Sequence, residues 1–304
     1  MELIRSNTRF DFIGKKKYTL WISAVAVLIS VGSIFFHGGL RYGVDFAGGI
    51  LIQIKFPKTI EISDVRNALA EMGSKDAMVQ AFGGENEFLI RVQKTSGDLE
   101  EMSKSIQTSL KGRFKENAPE VRRVEIVGPK IGKDLFRKSL WAVGLAFLAI
   151  LIYVAWRFKQ VSYGLGGIVA LVHDVIVTYG ALSISNREYS LTVLAVILTI
   201  IGFSINDTIV IFDRVRENIK KMRKEDLSTI INVSVNEMLG RTILTSGTVM
   251  VVVLILFFFG GPVINDFAFT LIVGLVSGVY STVYVASPVV LFWDHYVTKR
   301  KKKR

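Results

Sequence analysis

The chain has 304 residues, half of them hydrophobic, with a mean hydropathy of +0.42 and a net charge of +12. That is too apolar for an ordinary soluble protein, and its apolar runs are long enough to span a bilayer at roughly 20 residues each. Cysteine is absent, which excludes disulfides, thiol catalysis and cysteine-ligated metal centres.

The three histidines, His37, His173 and His295, lie far apart with no neighbour at metal-ligand spacing, so no cofactor is expected. The positive charge does not point to nucleic acid. Residues 38–137 carry 16 Lys/Arg against 14 Asp/Glu, a net of +2, and the remaining +10 flanks the apolar segments. That is the distribution of membrane orientation signals and of contacts with anionic lipid headgroups.

The first apolar run extends from Tyr18 to Phe36, behind Arg5, Arg9, Lys15, Lys16 and Lys17. It is longer than the apolar core of a signal peptide. It ends in "FFHGGLRYG", without a small-residue cleavage site. Residues 1–37 are therefore expected to form a cytoplasmic N-terminus and an uncleaved first membrane helix.

Residues 38–137 read as a soluble unit. "ILIQIKF" (50–56) alternates as a strand, and "EISDVRNALAEMG" (61–73) has helical spacing and a terminal glycine. "AMVQAFG" and "EFLIRVQ" are strands separated by "GEN", a hairpin signal. "DLEEMSKSIQTSLKGRF" (98–114) is a second helix with acidic residues in its first turn, and Asp98 is placed to cap it. "VRRVEIVG" (121–128) is the last strand. The order βαββαβ is the ferredoxin-like unit.

Five further spans are predicted in residues 138–298: Ser139–Phe158, Tyr163–Ile184, Ser190–Phe212, Thr242–Gly260 and Phe267–His295. Arg157 and Lys159 follow the second span. Arg214, Arg216, Lys220, Lys221, Arg223 and Lys224 follow the fourth, and the tail 299–304 is "KRKKKR". The opposite loops carry only Arg187. Six spans with both termini in the cytoplasm satisfy the positive-inside rule. Lys130, Lys133, Arg137 and Lys138 crowd the opposite end of the second span, but long translocated domains are less bound by that rule. The expected fold is a polytopic α-helical membrane protein with six transmembrane helices. One extracytoplasmic α+β ferredoxin-like domain stands between helices 1 and 2.

Asp207 in "FSINDTIVIFDRVREN" (203–218) lies about six residues before the basic loop, so roughly 9 Å inside the span. Ionisable residues at such depth face the bundle interior and often mark proton or ion pathways. The alternative is a protonated carboxyl that merely bonds a neighbouring helix. Asn206 offers donors and an acceptor beside it. Asp213, at the membrane edge, reads as a solvated charge or helix-end ion pair.

His173 and Asp174 sit near the middle of the third span, about 100° apart on the helix. For them functional and structural readings stand level, with a water chain as the route from Asp174 to Asp207. Gly274 and Gly278, with Ser277 and Ser281, read as a close helix contact, as do "YGLGGIVA" and "TSGT". Arg241 reads as a snorkelling arginine. "FAGGI" and "FGGE" lack the rest of any phosphate-binding pattern.

Three motifs together, "GVDFAGGILI" (43–52), "SINDTIVIFDRVREN" (204–218) and "GRTILTSGT" (240–248), resemble the SecF family. Its members are subunits of the SecD–SecF complex, which assists protein export through the Sec channel. The resemblance covers essentially the whole chain. It implies one six-span half of a proton-driven exporter, with SecD, the Sec channel and exported unfolded polypeptide as partners and a place in the cytoplasmic membrane. It assigns Asp207 to the intramembrane proton pathway, ties Arg241 to the same function, and puts Asp266 near a third implicated acidic position. It also implies that the outer domain contacts the emerging polypeptide and moves as protons pass.

Three other readings are open on the residues. An intramembrane aspartyl protease would pair Asp174 with Asp207, but requires G-x-G-D where this chain has "SIND". A structural subunit would brace SecD without ion conduction. A stand-alone small-molecule exporter would need a homodimer to complete the two halves.

Overall fold

A computed structural model describes residues 8, 10–74, 77–82, 84, 86–93, 98–158 and 160–302. The orientation charges Arg5, Arg9 and Lys159 and the last two residues of the basic tail lie outside the described residues.

The first membrane helix, α1 (Lys16–Phe36), leads through the two-residue strand β1 (Arg41–Tyr42) and the one-turn helix α2 (Val44–Ala47) into the α+β domain. That domain is β2 (Gly49–Lys55), α3 (Ile62–Glu71), β3 (Met78–Ala81), β4 (Glu87–Val92), α4 (Leu99–Arg113) and β5 (Glu120–Val127). The sheet order is β3-β4-β2-β5 with every neighbour antiparallel, the ferredoxin-like arrangement expected from βαββαβ. The alternation in β2 puts Ile50, Ile52 and Ile54 wholly inside, against Leu69 of α3 and Ile106 and Leu110 of α4. Asp98 caps α4 as expected, accepting from the amides of Glu100 and Glu101. Gly73 ends α3 with φ +80°.

The remaining membrane helices are α5 (Pro129–Arg157), α6 (Val161–Ile184), α7 (Leu191–Lys221), α8 (Leu227–Phe259) and a last span built from α9 (Gly261–Ser281), a π-helical turn (Thr282–Ala286) and α10 (Ser287–Lys302). Among the described residues, six helical segments are long and apolar enough to cross a membrane. Several outrun their apolar stretches. α5 starts well before Ser139, and α7 and α8 continue as one helix each through the basic region, held there by Arg214 bonding Glu217 and Glu237.

α6, α7 and the last span form the inner layer, with Ile197, Ile200, Ile201, Leu271, Leu275 and Ala286 in its core. α1, α5 and α8 lie outside and leave Trp21, Leu28, Leu148, Trp156, Val251 and Ile255 exposed, as a bilayer requires. The small-residue stripe behaves as the spacing predicts. A Cβ on Gly274 would fall 2.1 Å from Ile200 Cδ1, so only glycine lets α9 approach α7 this closely.

Two joints between domain and bundle have no counterpart in the sequence reading. β1 pairs in parallel with β6 (Glu188–Tyr189) in the loop between α6 and α7. Within "GVDFAGG", α2 lays Phe46 flat on Tyr189, and Asp45 Oδ2 accepts from the Leu191 amide at 3.0 Å. At the other end of the bundle, Asn232 and Asn236 of α8 hold the backbone of Phe10 and Phe12.

Candidate functional site

α6, α7, α8 and α9 bring two carboxyl groups into the interior of the bundle. Asp174 is 1% exposed. Its Oδ2 accepts from Ser204 Oγ of α7 at 2.6 Å and Ser281 Oγ of α9 at 2.7 Å. Its Oδ1 accepts from Ser277 Oγ at 2.6 Å and lies 3.1 Å from His173 Nδ1. Ser277 and Ser281 thus do more than permit a close helix contact; their hydroxyls aim inward at Asp174. His173 and Asp174 bond each other despite being adjacent on one helix. The imidazole lies over the Tyr280 ring with centroids 6.1 Å apart, and its buried Nε2 has no hydrogen-bond partner among the described residues.

Asp207 is 6% exposed, and its Oδ2 accepts from Ser246 Oγ of α8 at 3.3 Å. Beside it lies a void of about 10 Å³ lined by Phe203, Ser204, Asp207, Ser246, Gly274 and Gly278. That is near the smallest space able to hold one water. The two carboxyl groups do not touch. Ser204 stands between them, bonded to Asp174 and facing the void that Asp207 also faces. One turn further along α7, the Thr208 hydroxyl meets Thr282 in the π-helical turn at 2.9 Å. Single π turns inside α-helices recur at functional positions.

The other residues singled out from the sequence are elsewhere. Asn206 lies on an exposed face of α7 and makes no hydrogen bond to Asp207 among the described residues, because neighbouring helix positions point about 100° apart. Arg241 is exposed on α8, more than a turn before Ser246, and forms no ion pair with Asp207. Asp266 stands at the domain end of the bundle, ion-paired with Arg187, which also donates to Asn265 and stacks 4.2 Å from the Phe269 centroid. Of the two readings of Asp213, the helix-end ion pair is the one found, with Arg157 of α5 and Arg216.

Residues 106–296 match the family profile "Protein export membrane protein SecD/SecF, C-terminal", and residues 33–59 match "SecD/SecF GG Motif". The protein translocase subunit SecF of Calditerrivibrio nitroreducens is 44% identical, over 100% of this chain and 99% of its own length. The chain belongs to the SecF family of protein translocase subunits.

The SecF of Endomicrobium trichonymphae is 41% identical over 96% of this chain and 94% of its own. The crystal structure of SecDF from Thermus thermophilus, a translocon-associated membrane protein, superposes with a TM-score of 0.83 at 34% identity, over 96% of this chain. A second SecDF crystal structure, in a super-membrane-facing form, gives 0.73 at 35% identity. This SecF-family chain spans only about 40% of the first SecDF chain's length. A SecF-family chain is a multi-pass membrane component of a transporter and not an enzyme, which removes the protease reading; nor is Asp174 hydrogen-bonded to Asp207 among the described residues. Ser204, like Thr208, is a small hydroxyl that the sequence already sets beside Asp207, whereas Ser246, Ser277 and Ser281 read from the sequence as helix packing alone. Ser204 stands a helical turn before Asp207 and Ser277 a turn before Ser281, but Ser246 carries no such signal.

Proposed function

We propose that this chain is the SecF half of a SecD–SecF pair that uses the proton motive force to assist polypeptide export through the Sec channel. The observation that carries this reading is the pair of buried carboxyl groups inside the membrane bundle, with Ser204 bonded to Asp174 and lining the void beside Asp207. A carboxyl at that depth is expensive unless it is needed, and one that gains and loses a proton changes which helix arrangement is favoured. Asp207 is the proton-carrying group, the void beside it holds the water that delivers the proton, and Ser204 passes the change to Asp174.

Arg241 and Asn206 act from the exposed side. Ala195, Thr199, Gly202 and Asn206 recur along one exposed face of α7, with Arg241 and Thr248 exposed on α8. A face this polar and small-sided does not suit lipid and fits a second bundle, the part supplied by SecD. Asp266, paired with Arg187, belongs to the domain end of the same path. The basic loops and tail face the cytoplasm, and the α+β domain faces the opposite compartment, where it meets emerging polypeptide.

Asp207→Asn keeps shape and hydrogen bonding but cannot titrate. In cells lacking the native subunit it should reduce export to the level of the null strain, with the variant and its SecD partner accumulating normally by immunoblot. Unchanged export would leave the bracing subunit as the better account.

A further inference from the structure

Both connections between the α+β domain and the membrane bundle run through glycine. The chain passes into the domain by Gly48 and Gly49 and out of it by Gly128. The two passages lie side by side. Gly49 pairs with Val127 across β2 and β5, and a Cβ on Gly48 would stand 3.1 Å from Pro129 Cα. Gly48 and Gly49 have φ of +79° and +143°, a region that other residues adopt only at a cost. Gly128 is extended, and a Cβ there would meet nothing within 4 Å.

Past this line the sheet meets the bundle through few polar contacts among the described residues. Gln93 Nε2 donates to the Tyr42 carbonyl at 2.6 Å, beside the glycines. Arg41 reaches Met78 Sδ at 3.7 Å. Arg91 Nη1 of β4 donates to Glu188 Oε2 of β6 at 2.9 Å, with Arg41 of β1 3.9 Å from the other carboxylate oxygen. Elsewhere the sheet stands away from the bundle across a cleft of about 390 Å³. Leu51, Gln53 and Arg123 line one side of it and Asp45, Leu191 and Asp266 the other. Glu188 is buried, so removing Arg91 would leave its charge with only the longer 3.9 Å pairing to Arg41.

We propose that the α+β domain is a flap hinged at Gly48, Gly49 and Gly128, that the Arg91–Glu188 pair sets its resting angle, and that the cleft is its range of travel. Paired glycine crossings absorb backbone rotation along one line, and the Arg91–Glu188 pair, the charged contact among the few just beyond that line, holds the resting angle. This rests on the reading that the domain moves in the export cycle, and it names the joint at which it does so.

The chain has no cysteine, so Ser105→Cys on α4 and Ser185→Cys at the end of α6 supply two exposed sites for a fluorescent donor and acceptor. With the full chain and its SecD partner in lipid nanodiscs, single-molecule energy transfer reads the domain-to-bundle distance. Glu188→Gln and Arg91→Gln should each shift and broaden the distance distribution. The double variant should go no further than either alone, since both remove one contact. Gly128→Val, which fits the backbone as it stands, should narrow the distribution by stiffening the hinge.

Wild-type distributions in both Gln variants, or additive shifts in the double variant, would overturn the role of the pair. An unchanged distribution in Gly128→Val would overturn the hinge. The distances are read without export. Asp207→Asn run alongside should keep the wild-type distribution while losing export, so failure of the proton relay and failure of the flap give different results.

Discussion

The Ser204 hydroxyl donates to Asp174 Oδ2 across 2.6 Å, from the turn of α7 that also carries Asp207. One side chain therefore bonds one buried carboxyl group and lines the void beside the other. A change of charge at Asp207 that moved this turn of α7 would be felt at Asp174, and through Ser277 and Ser281 at α9.

Ser204→Ala removes that bond and leaves Asp174 Oδ2 with Ser281 alone. The loss of one buried partner costs about 1–3 kcal/mol. The thermal unfolding temperature in detergent should fall and export should drop. If neither changes, the bond contributes to neither stability nor coupling.

Asp174 and Asp207 should respond differently to the same substitution. Asp174→Asn turns an amide NH2 toward a ring of hydroxyl donors, so some bonds are lost and stability falls by about 1–3 kcal/mol. Asp207→Asn loses at most the 3.3 Å bond from Ser246 and should unfold within about 1 kcal/mol of wild type while abolishing export. Melting curves and an export assay on both variants check this. Equal destabilisation would mean that Asp207 is as much a structural clamp as Asp174.

Gly274→Leu forces side-chain atoms into the space of Ile200 and should destabilise the bundle by about 1–3 kcal/mol or more. Gly32→Ala on α1, where an added Cβ meets nothing within 4 Å, should stay within about 0.5 kcal/mol of wild type. Immunoblot levels and melting temperature report the contrast.

Glu188 gives the chain a pH dependence outside the membrane spans. Burial pushes its carboxyl up from the usual 4.5, Arg91 and Arg41 oppose the rise, and Asp266 and Asp45 add to it. The folded state therefore holds this proton to higher pH than the unfolded state. The group's contribution to stability is full below the unfolded value of 4.5 and is lost as pH rises through the raised folded value. Glu188→Gln should flatten the melting temperature against pH in that window. A variant curve parallel to wild type would refute the assignment.

Much of the fold was legible in the sequence because its signals are local. Hydropathy over a helix length marked the membrane spans, alternation marked β2, and Asp98 stands at the head of a helix where a carboxylate satisfies free amides. Asp207 announced itself because a carboxylate in an apolar run is costly wherever it points. Its neighbour Asn206 shared the sequence signal but not the site, since only the helix's rotation within the bundle decides which of two adjacent residues faces inward.

By itself, then, the sequence determined the spans, the βαββαβ order and the presence of buried charge, all properties of short stretches of chain. The tertiary structure alone decided what surrounds that charge. The serines around Asp174 lie 30, 103 and 107 residues away in sequence, and Arg91 lies 97 from Glu188. Hydroxyls and arginines carry no periodic signal of their partners, and they meet only because apolar faces and glycine contacts elsewhere bring their helices and strands together.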